Sequence, residues 1–274
     1  MQPLSAQQLF GTAGGRRIIG LEGEVLGIVE STMDAARRQA AAGVPDGFVV
    51  LAERQRSGRG RKGIWECPAG EGLLMTVVLR LGVRASERPQ LALLGAVAAT
   101  EAAAHYVPRV GIKWPNDIVV AGEGEPMALR KLGGVLVEQA RCGDSAPAHL
   151  LGIGLNVDQD RRRLPLGTGL PATSMKLEGG RPIDRAALCA KLMDQLDGWY
   201  DRVRRGRPEA LLARWRRLSC LMGHRVCART GGQCIEGTVV ALRAGGELIL
   251  RAAGGEEVIL TSERSTLLFP RPAP

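Results

Sequence analysis

The chain is poor in aromatic residues: four Trp, two Tyr and three Phe make up 3% of 274 residues. A protein that stacks unpaired bases needs a platform of rings, so this composition argues against that class. Cysteine is present but unpatterned. Cys67, Cys142, Cys189, Cys220, Cys227 and Cys234 contain no CxxC pair, and the even spacing of the last three lacks the close-set partners of a zinc site. No apolar run approaches the roughly 20 residues that a membrane helix needs. The opening residues, MQPLSAQQLFGTAGGRRIIG, lack the charged-then-apolar order of a secretory signal. These absences predict a cytoplasmic protein with reduced thiols and no membrane partner.

What the sequence does have is positive charge and glycine. Lys and Arg number 37 against 28 Asp and Glu, a formal charge of +9. Taken alone, that balance leaves open a nucleic-acid partner, an acidic protein or simply a basic surface. Hydrophobic residues at 45% and charged residues at 24% are ordinary for a globular chain and exclude disorder and collagen-like structure. The length suits one large domain, or a large one plus a small one.

Residues 1–29 are weakly patterned and read as an N-terminal extension. The stretch STMDAARRQAAAG reads as a helix capped by Ser31 or Thr32 and stopped by Gly43. Strands are expected at Phe48–Glu53, Leu73–Leu81, Lys131–Ala140 and Leu150–Val157, and helices at Leu91–Val107, Ile183–Val203 and Glu209–Leu218. Gly111–Val120 reads as a strand that Pro115 interrupts. After residue 218 the text becomes short apolar runs between Gly-Gly and Gly-Glu turns, the pattern of a small β-barrel or sandwich. The expected division is residues 1–29, an α+β unit over 30–219, and a β module over 220–274.

Four segments carry chemistry. Gln55–Trp65 reads QRSGRGRKGIW, in which Gly58, Gly60 and Gly63 free the backbone and Arg59 and Arg61 offer forked cations. It lacks the endings of a P-loop and of a dinucleotide fingerprint, and by itself it serves an anion site or a solvated turn equally well. Lys113–Asp117, KWPND, sets Trp114 as an apolar wall and presents Asn116 and Asp117 at a bend. Such a pair suits hydrated Mg²⁺ carrying phosphates, or a ribose or amine; an Asx turn is the plain alternative. Lys131 precedes Gly133 and Gly134 at a strand entrance, placed to reach a ligand through the gap they leave. Gly152 and Gly154 break a buried strand that ends on Asn156.

Each fragment is weak. The ordered set between Ser31 and Asn156, with the β module after it, resembles the biotin–protein ligases (biotin–[acetyl-CoA-carboxylase] ligases). The resemblance implies a seven-stranded mixed sheet with helices on one side, of the class II synthetase and biotin–lipoyl ligase kind, followed by a small SH3-like barrel. It implies that biotin and MgATP give biotinyl-5′-AMP and pyrophosphate, and that a lysine of a biotin carboxyl carrier protein then takes the biotinyl group. On the same resemblance, Ser31, Thr32, Met33, Gln55, Arg59, Gly60, Arg61, Lys131 and Gly134 bind biotin. Gly58, Arg59, Arg61, Trp65, Asn116, Asp117 and Asn156 bind ATP or the adenylate, and Ser174 borders the adenine. Lys131, Arg61 and Asp117 are the expected catalytic residues, with Asp117 as the Mg²⁺ contact. Homodimerisation along a sheet edge rests on the resemblance alone.

The sequence departs from the family pattern in three places. Met33 stands where the family has Asn. Lys62-Gly63-Ile64-Trp65 is one residue shorter than the family's arrangement and lacks its third Arg. The insert between Asp117 and Lys131 is long and reads as a surface hairpin. The stretch before Ser31 is too short for the regulatory winged helix of some members, so a monofunctional ligase is expected and DNA is not an expected partner. A lipoate or octanoate ligase or transferase on the same fold is the alternative, with a nucleic-acid-binding module behind it.

Overall fold

A computed structural model describes residues 3–10, 15–61, 63–80, 88–122, 128–142, 145–165 and 169–268. Its elements are α1 (Ala6–Phe10), β1 (Gly23–Val29), α2 (Thr32–Ala41), β2 (Phe48–Gln55), β3 (Arg59–Gly60), β4 (Gly63–Ile64), β5 (Gly72–Leu79) and α3 (Arg88–Ala104). There follow β6 (Val110–Lys113), β7 (Asp117–Ala121), β8 (Leu129–Cys142), β9 (Ser145–Asn156), α4 (Met175–Gly179), α5 (Arg185–Arg204) and α6 (Pro208–Leu218). The chain ends in β10 (Arg225–Thr230), β11 (Gln233–Leu242), β12 (Leu248–Arg251), β13 (Glu257–Leu260) and β14 (Ser265–Leu268).

Seven strands form a mixed sheet in the order β1-β2-β5-β9-β8-β7-β6. β1 and β2 are parallel and the remaining pairs antiparallel. The two-residue alternation of strands splits the apolar residues between two cores. Val49, Leu51, Leu73, Met75, Val77, Leu151, Ile153 and Leu155 point into a large core with α3, α5 and α6. Val50, Val78, Ala148 and Leu150 point the other way, against Met33, Ala35, Ala36 and Ala40 of α2. Helices therefore cover both faces, not one. α2 is the exception because its small buried side chains let it lie close on the second face.

The cap of α2 is as read. Ser31 is extended (φ −156°, ψ 142°) and its Oγ accepts from the Met33 N–H, while Gly43 adopts φ +87° just past the end. α3 is apolar all round because it sits between the sheet and both α5 and α6.

Two expectations about boundaries change. Residues 23–29, read as part of an extension, are the edge strand of the sheet. The segment before them is tied to α5 by Asp197, whose carboxylate accepts the backbone N–H groups of Arg17, Ile18 and Ile19 at 2.9, 2.8 and 2.9 Å. The 111–120 strand is two antiparallel strands, β6 and β7, reversed at Trp114-Pro115-Asn116 across a cis Trp114–Pro115 peptide. The middle of the long insert, residues 123–127, lies outside the described residues, as does Lys62.

The C-terminal strands make an antiparallel sheet in the order β13-β12-β11-β10-β14. Among the described residues no ladder joins β13 to β14, so the sheet is not closed as the expected barrel is; it is consistent with a small SH3-like domain. Its inward residues, among them Val226, Val239, Leu250 and Leu267, merge with the large core. Trp114 helps join the two units. It is buried, and its Nε1 donates to the Gly246 carbonyl at 2.9 Å. Trp114 is therefore an anchor between units and not a wall of the site.

Asp197 is buried and accepts three hydrogen bonds, and charge-assisted bonds of this kind contribute about 1.5–3 kcal/mol. Asp197→Ala is expected to lower unfolding free energy by about 3 kcal/mol in urea titrations. A loss near zero would mean that residues 17–19 hold their place without it.

Candidate functional site

A cavity of about 550 Å³ opens on the α2 face of the sheet. The room comes from glycine. Gly134, Gly152 and Gly154 fall on this face of β8 and β9, while their neighbours Val135, Leu151, Ile153 and Leu155 fill the large core. A Cβ at Gly154 would lie 2.7 Å from the Trp65 indole, and one at Gly152 would lie 2.9 Å from the Met33 sulfur. The glycines thus seat two cavity-lining side chains against bare backbone. The indole Nε1 of Trp65 is buried with no hydrogen-bond acceptor.

One end of the cavity is polar. Thr76 Oγ1 donates to Thr32 Oγ1 at 2.8 Å, and Thr32 donates from both its N–H and its hydroxyl to Gln55 Oε1 at 2.8 and 2.9 Å. That chain fixes Gln55 at the end of β2. Ser31 is spent as the α2 cap and does not line the cavity. Gly58 does not line it either; a Cβ there would lie 2.3 Å from the Trp65 carbonyl oxygen and 2.6 Å from Gln55 Nε2, so its role is to let the chain pass.

The other end is charged. Asp117 is bound by Lys131 Nζ at 2.6 Å and by Lys113 Nζ at 3.4 Å, one ammonium on each carboxylate oxygen. Lys113 and Asp117 are cross-strand partners in β6 and β7, and Asp117 faces Gly134 across β8. Strict alternation would set Lys131 and Gly134 on opposite faces. A register shift between Ile118 and Val119 brings both to the cavity. Lys131 is further pinned through backbone bonds to Pro171 and Thr173, and its Nζ lies 5.8 Å from the Trp65 ring centroid. Burial pushes the Lys113 ammonium below the ordinary lysine range, with Lys131 and Arg61 adding to the effect and Asp117 opposing it. Lys113 was not among the expected site residues, although it is the first letter of KWPND. Its signal was the motif itself, but a strand-end lysine is usually solvated.

The glycine–arginine segment arches over this cavity as β3 and β4. Gly60, Arg61 and Trp65 line the cavity. Arg61 donates to the Ser262 carbonyl at 2.7 Å, so the C-terminal unit holds the tip of the arm, and Thr266 and Leu267 line the same cavity. Arg59 lines it too, with its guanidinium bound by Asp34 and Glu138. Asn116 and Asn156 line the cavity and are largely committed inward. Asn116 Nδ2 donates to Val135 O at 2.5 Å. The buried Asn156 donates to Thr173 O and accepts from Gln159 Nε2, both at 3.0 Å. Ser174 lies away from the cavity, capping α4 through Leu177 and donating to Gln159 O.

As a metal site the residues present do not fit. Among the described residues there is no group of three or more His, Cys, Asp or Glu that can hold an ion, and both Asp117 oxygens already bind ammonium groups. Cys220, Cys227 and Cys234 are free thiols and form no such group.

The model of the Biotin/lipoate A/B protein ligase family matches residues 25–158. The chain is 32% identical over 257 residues to the bifunctional ligase/repressor BirA of Bacillus spizizenii, covering 89% of this chain and 76% of that protein. It is 31% identical over 267 residues to a biotin–[acetyl-CoA-carboxylase] ligase of Mycobacterium tuberculosis, covering 93% and 91%. The fold matches a biotin protein ligase from Aquifex aeolicus, solved in complex with biotin and ATP, with a TM-score of 0.75 at 23% identity over 90% of this chain and 99% of that one. Fold and sequence together define a ligase of the biotin/lipoate class. Within that class, the chain belongs to the biotin protein ligases.

Two measurements check the geometry of the cavity. Asp117→Asn removes the charge that keeps Lys113 protonated, so Lys113 should titrate at lower pH than in the parent when followed by lysine Cε NMR shifts; an unmoved titration would break the pairing. Gly154→Val should expel the indole, since a Cβ would sit 2.7 Å from it, and change the fluorescence contributed by Trp65. An unchanged spectrum would mean that the ring does not pack there.

Proposed function

We propose that this chain activates biotin with MgATP, giving biotinyl-5′-AMP and pyrophosphate, and transfers the biotinyl group to a lysine of a biotin carboxyl carrier protein. The observation that carries the reading is the pair of ammonium groups, Lys131 and Lys113, gathered on one carboxylate at the end of a glycine-lined cavity. In the first step a carboxylate oxygen bonds to the α-phosphorus and the bond to the departing pyrophosphate breaks. Two anions must meet, and fixed cations offset their repulsion best in a site partly shielded from water. Lys131 and Arg61 take that role, with Lys113 behind them. In the second step the carrier amine attacks the acyl carbon, AMP leaves, and the amine gives up a proton.

Asp117 is the one acidic side chain among the described residues lining the cavity. We assign it the positioning of both lysines and, once an anion draws them off, acceptance of that proton. Thr32, Met33 and Gln55 form the biotin end, and Gly134 leaves the sheet bare beside Lys131 at the charged end. Trp65, Asn116 and Asn156 border the nucleotide, the buried Trp65 N–H supplying a donor. Mg²⁺ enters with the ATP phosphates and not on a site built by the protein. We also propose that residues 30–219, with β1, form the catalytic unit, that 220–274 form the smaller unit that closes the cavity, that the protein works in the cytoplasm, and that it dimerises along a sheet edge.

The family model spans biotin and lipoate ligases alike, which keeps lipoate or octanoate transfer as the second reading. Biotin-dependent exchange of labelled pyrophosphate into ATP is the expected result, with labelling of a carrier domain, and with lipoate a poor competitor. Exchange driven by lipoate and not by biotin would overturn the assignment. Lys131→Ala should slow exchange about a hundredfold or more, the effect of losing one preorganised charge. Near-parental exchange would remove Lys131 from the mechanism.

A further inference from the structure

Two of the six cysteines meet on the C-terminal sheet, and neither lines the cavity. β10 and β11 form a hairpin in which Cys227 faces Glu236 and Arg229 faces Cys234. Side chains two apart on a strand share a face, so Cys227 and Cys234 are diagonal neighbours on one side of the ladder. That side is the outer one. Val226 and Ala228 are buried on the other, while Cys227 is half-buried and Cys234 exposed. The even spacing of these thiols, without meaning for a zinc site, is the span of one tight hairpin.

The two thiols are in contact, Cys227 donating a hydrogen bond to the Cys234 sulfur. Partial burial lifts the Cys227 thiol above the ordinary range. Cys234 and Glu236 add to the rise, and Arg229 opposes it. Diagonal neighbours on an antiparallel pair normally stand about 7–8 Å apart, slightly more than the roughly 4.4–6.8 Å between the Cα atoms of a disulfide. This end of the hairpin can close the difference. It turns through Gly231 and Gly232 at φ +55° and +83°, and turns with two positive φ values go with a strongly twisted ribbon. β12 pairs with β11 only from Thr238 onward. Among the described residues, 233–236 therefore have no ladder partner on their outer edge to resist a shift.

We propose that Cys227 and Cys234 are a modification site, where hydrogen peroxide converts the thiol pair into a reversible disulfide across the hairpin. The exposed Cys234 attacks as its thiolate. An S–O bond forms, the O–O bond breaks, and the departing oxygen takes up the Cys234 proton and leaves as water. Cys227 then gives up its proton and attacks the Cys234 sulfur. The S–S bond forms, the S–O bond breaks, and a second water carries that proton away. Two electrons pass from sulfur to oxygen, so both thiols are oxidised and one peroxide is reduced. The site is independent of the function proposed above. Cys67 and Cys189 serve as internal controls, since both are buried and burial pushes each thiol up to about 12.

The test treats the reduced full chain with hydrogen peroxide over a time course, then alkylates it in denaturant and digests it with trypsin. Cleavage after Arg225, Arg229 and Arg243 places the two thiols on separate peptides, 226–229 and 230–243. Mass spectrometry should find these peptides joined, two hydrogens lighter than their sum, and dithiothreitol should part them. The link should form about tenfold or more faster than Cys67 or Cys189 loses its capacity for alkylation. Both peptides remaining fully alkylatable would overturn the site. So would a link from either thiol to another cysteine or to a second chain. This measurement on the parent needs no variant to fold. The order of attack is read from two variants. Cys234→Ser should leave Cys227 open to alkylation, whereas Cys227→Ser should let Cys234 pass on to the sulfinic acid. Oxidation of Cys227 in Cys234→Ser at the parental rate would overturn Cys234 as the attacking sulfur.

Discussion

Two ammonium groups cannot share a small cavity unless a negative charge stands between them. Asp117 supplies it, with one lysine on each oxygen. The elements around the site are arranged to make this possible. The β6–β7 reversal places Lys113 beside Asp117, and the shifted register of β7 against β8 turns Lys131 to the same face. Burial pushes the Lys113 ammonium below the ordinary lysine range, and that one carboxylate opposes the push. The result is a compact positive field whose counter-charge an incoming anion can replace.

The second constraint is space. A seven-stranded sheet covered on both faces has no natural cavity, since its side chains fill the gap to the helices. Here only the first turn of α2 reaches the cavity, and three glycines leave the sheet surface bare beside it. Met33 and Trp65 occupy part of that room, and the remainder is the cavity. The same economy explains why the arm can lie flat over the site: Gly58 passes where a side chain would strike the Trp65 carbonyl or Gln55.

The third is closure from outside the sheet. The C-terminal sheet is anchored by Trp114 to Gly246, and it presents Thr266 and Leu267 to the cavity and the Ser262 carbonyl to Arg61. The Trp-Pro turn thus has two duties. It reverses the chain so that Asp117 meets Lys113, and it holds the second unit where that unit completes the wall.

The sequence by itself determined the cap and stop of α2, most strands and helices, the break in composition near residue 218, and the set of segments that converge on the cavity. These depend on local chemistry, such as capping oxygens, glycine freedom and apolar spacing, which is written in neighbouring residues. What it could not settle was partnership. Whether Arg59 faces a ligand or Asp34 depends on residues 25 and 79 positions away. Whether Asn116 and Asn156 bind outward or inward depends on which carbonyls lie opposite. Lys113 reads as an ordinary strand-end lysine until burial marks it, and residues 23–29 read as a loose extension until β2 pairs with them. Hydrogen bonds and ion pairs act over about 3 Å in space and any distance in sequence, so only the tertiary structure decided which of the expected side chains remain available to a ligand and which are already used in holding the fold.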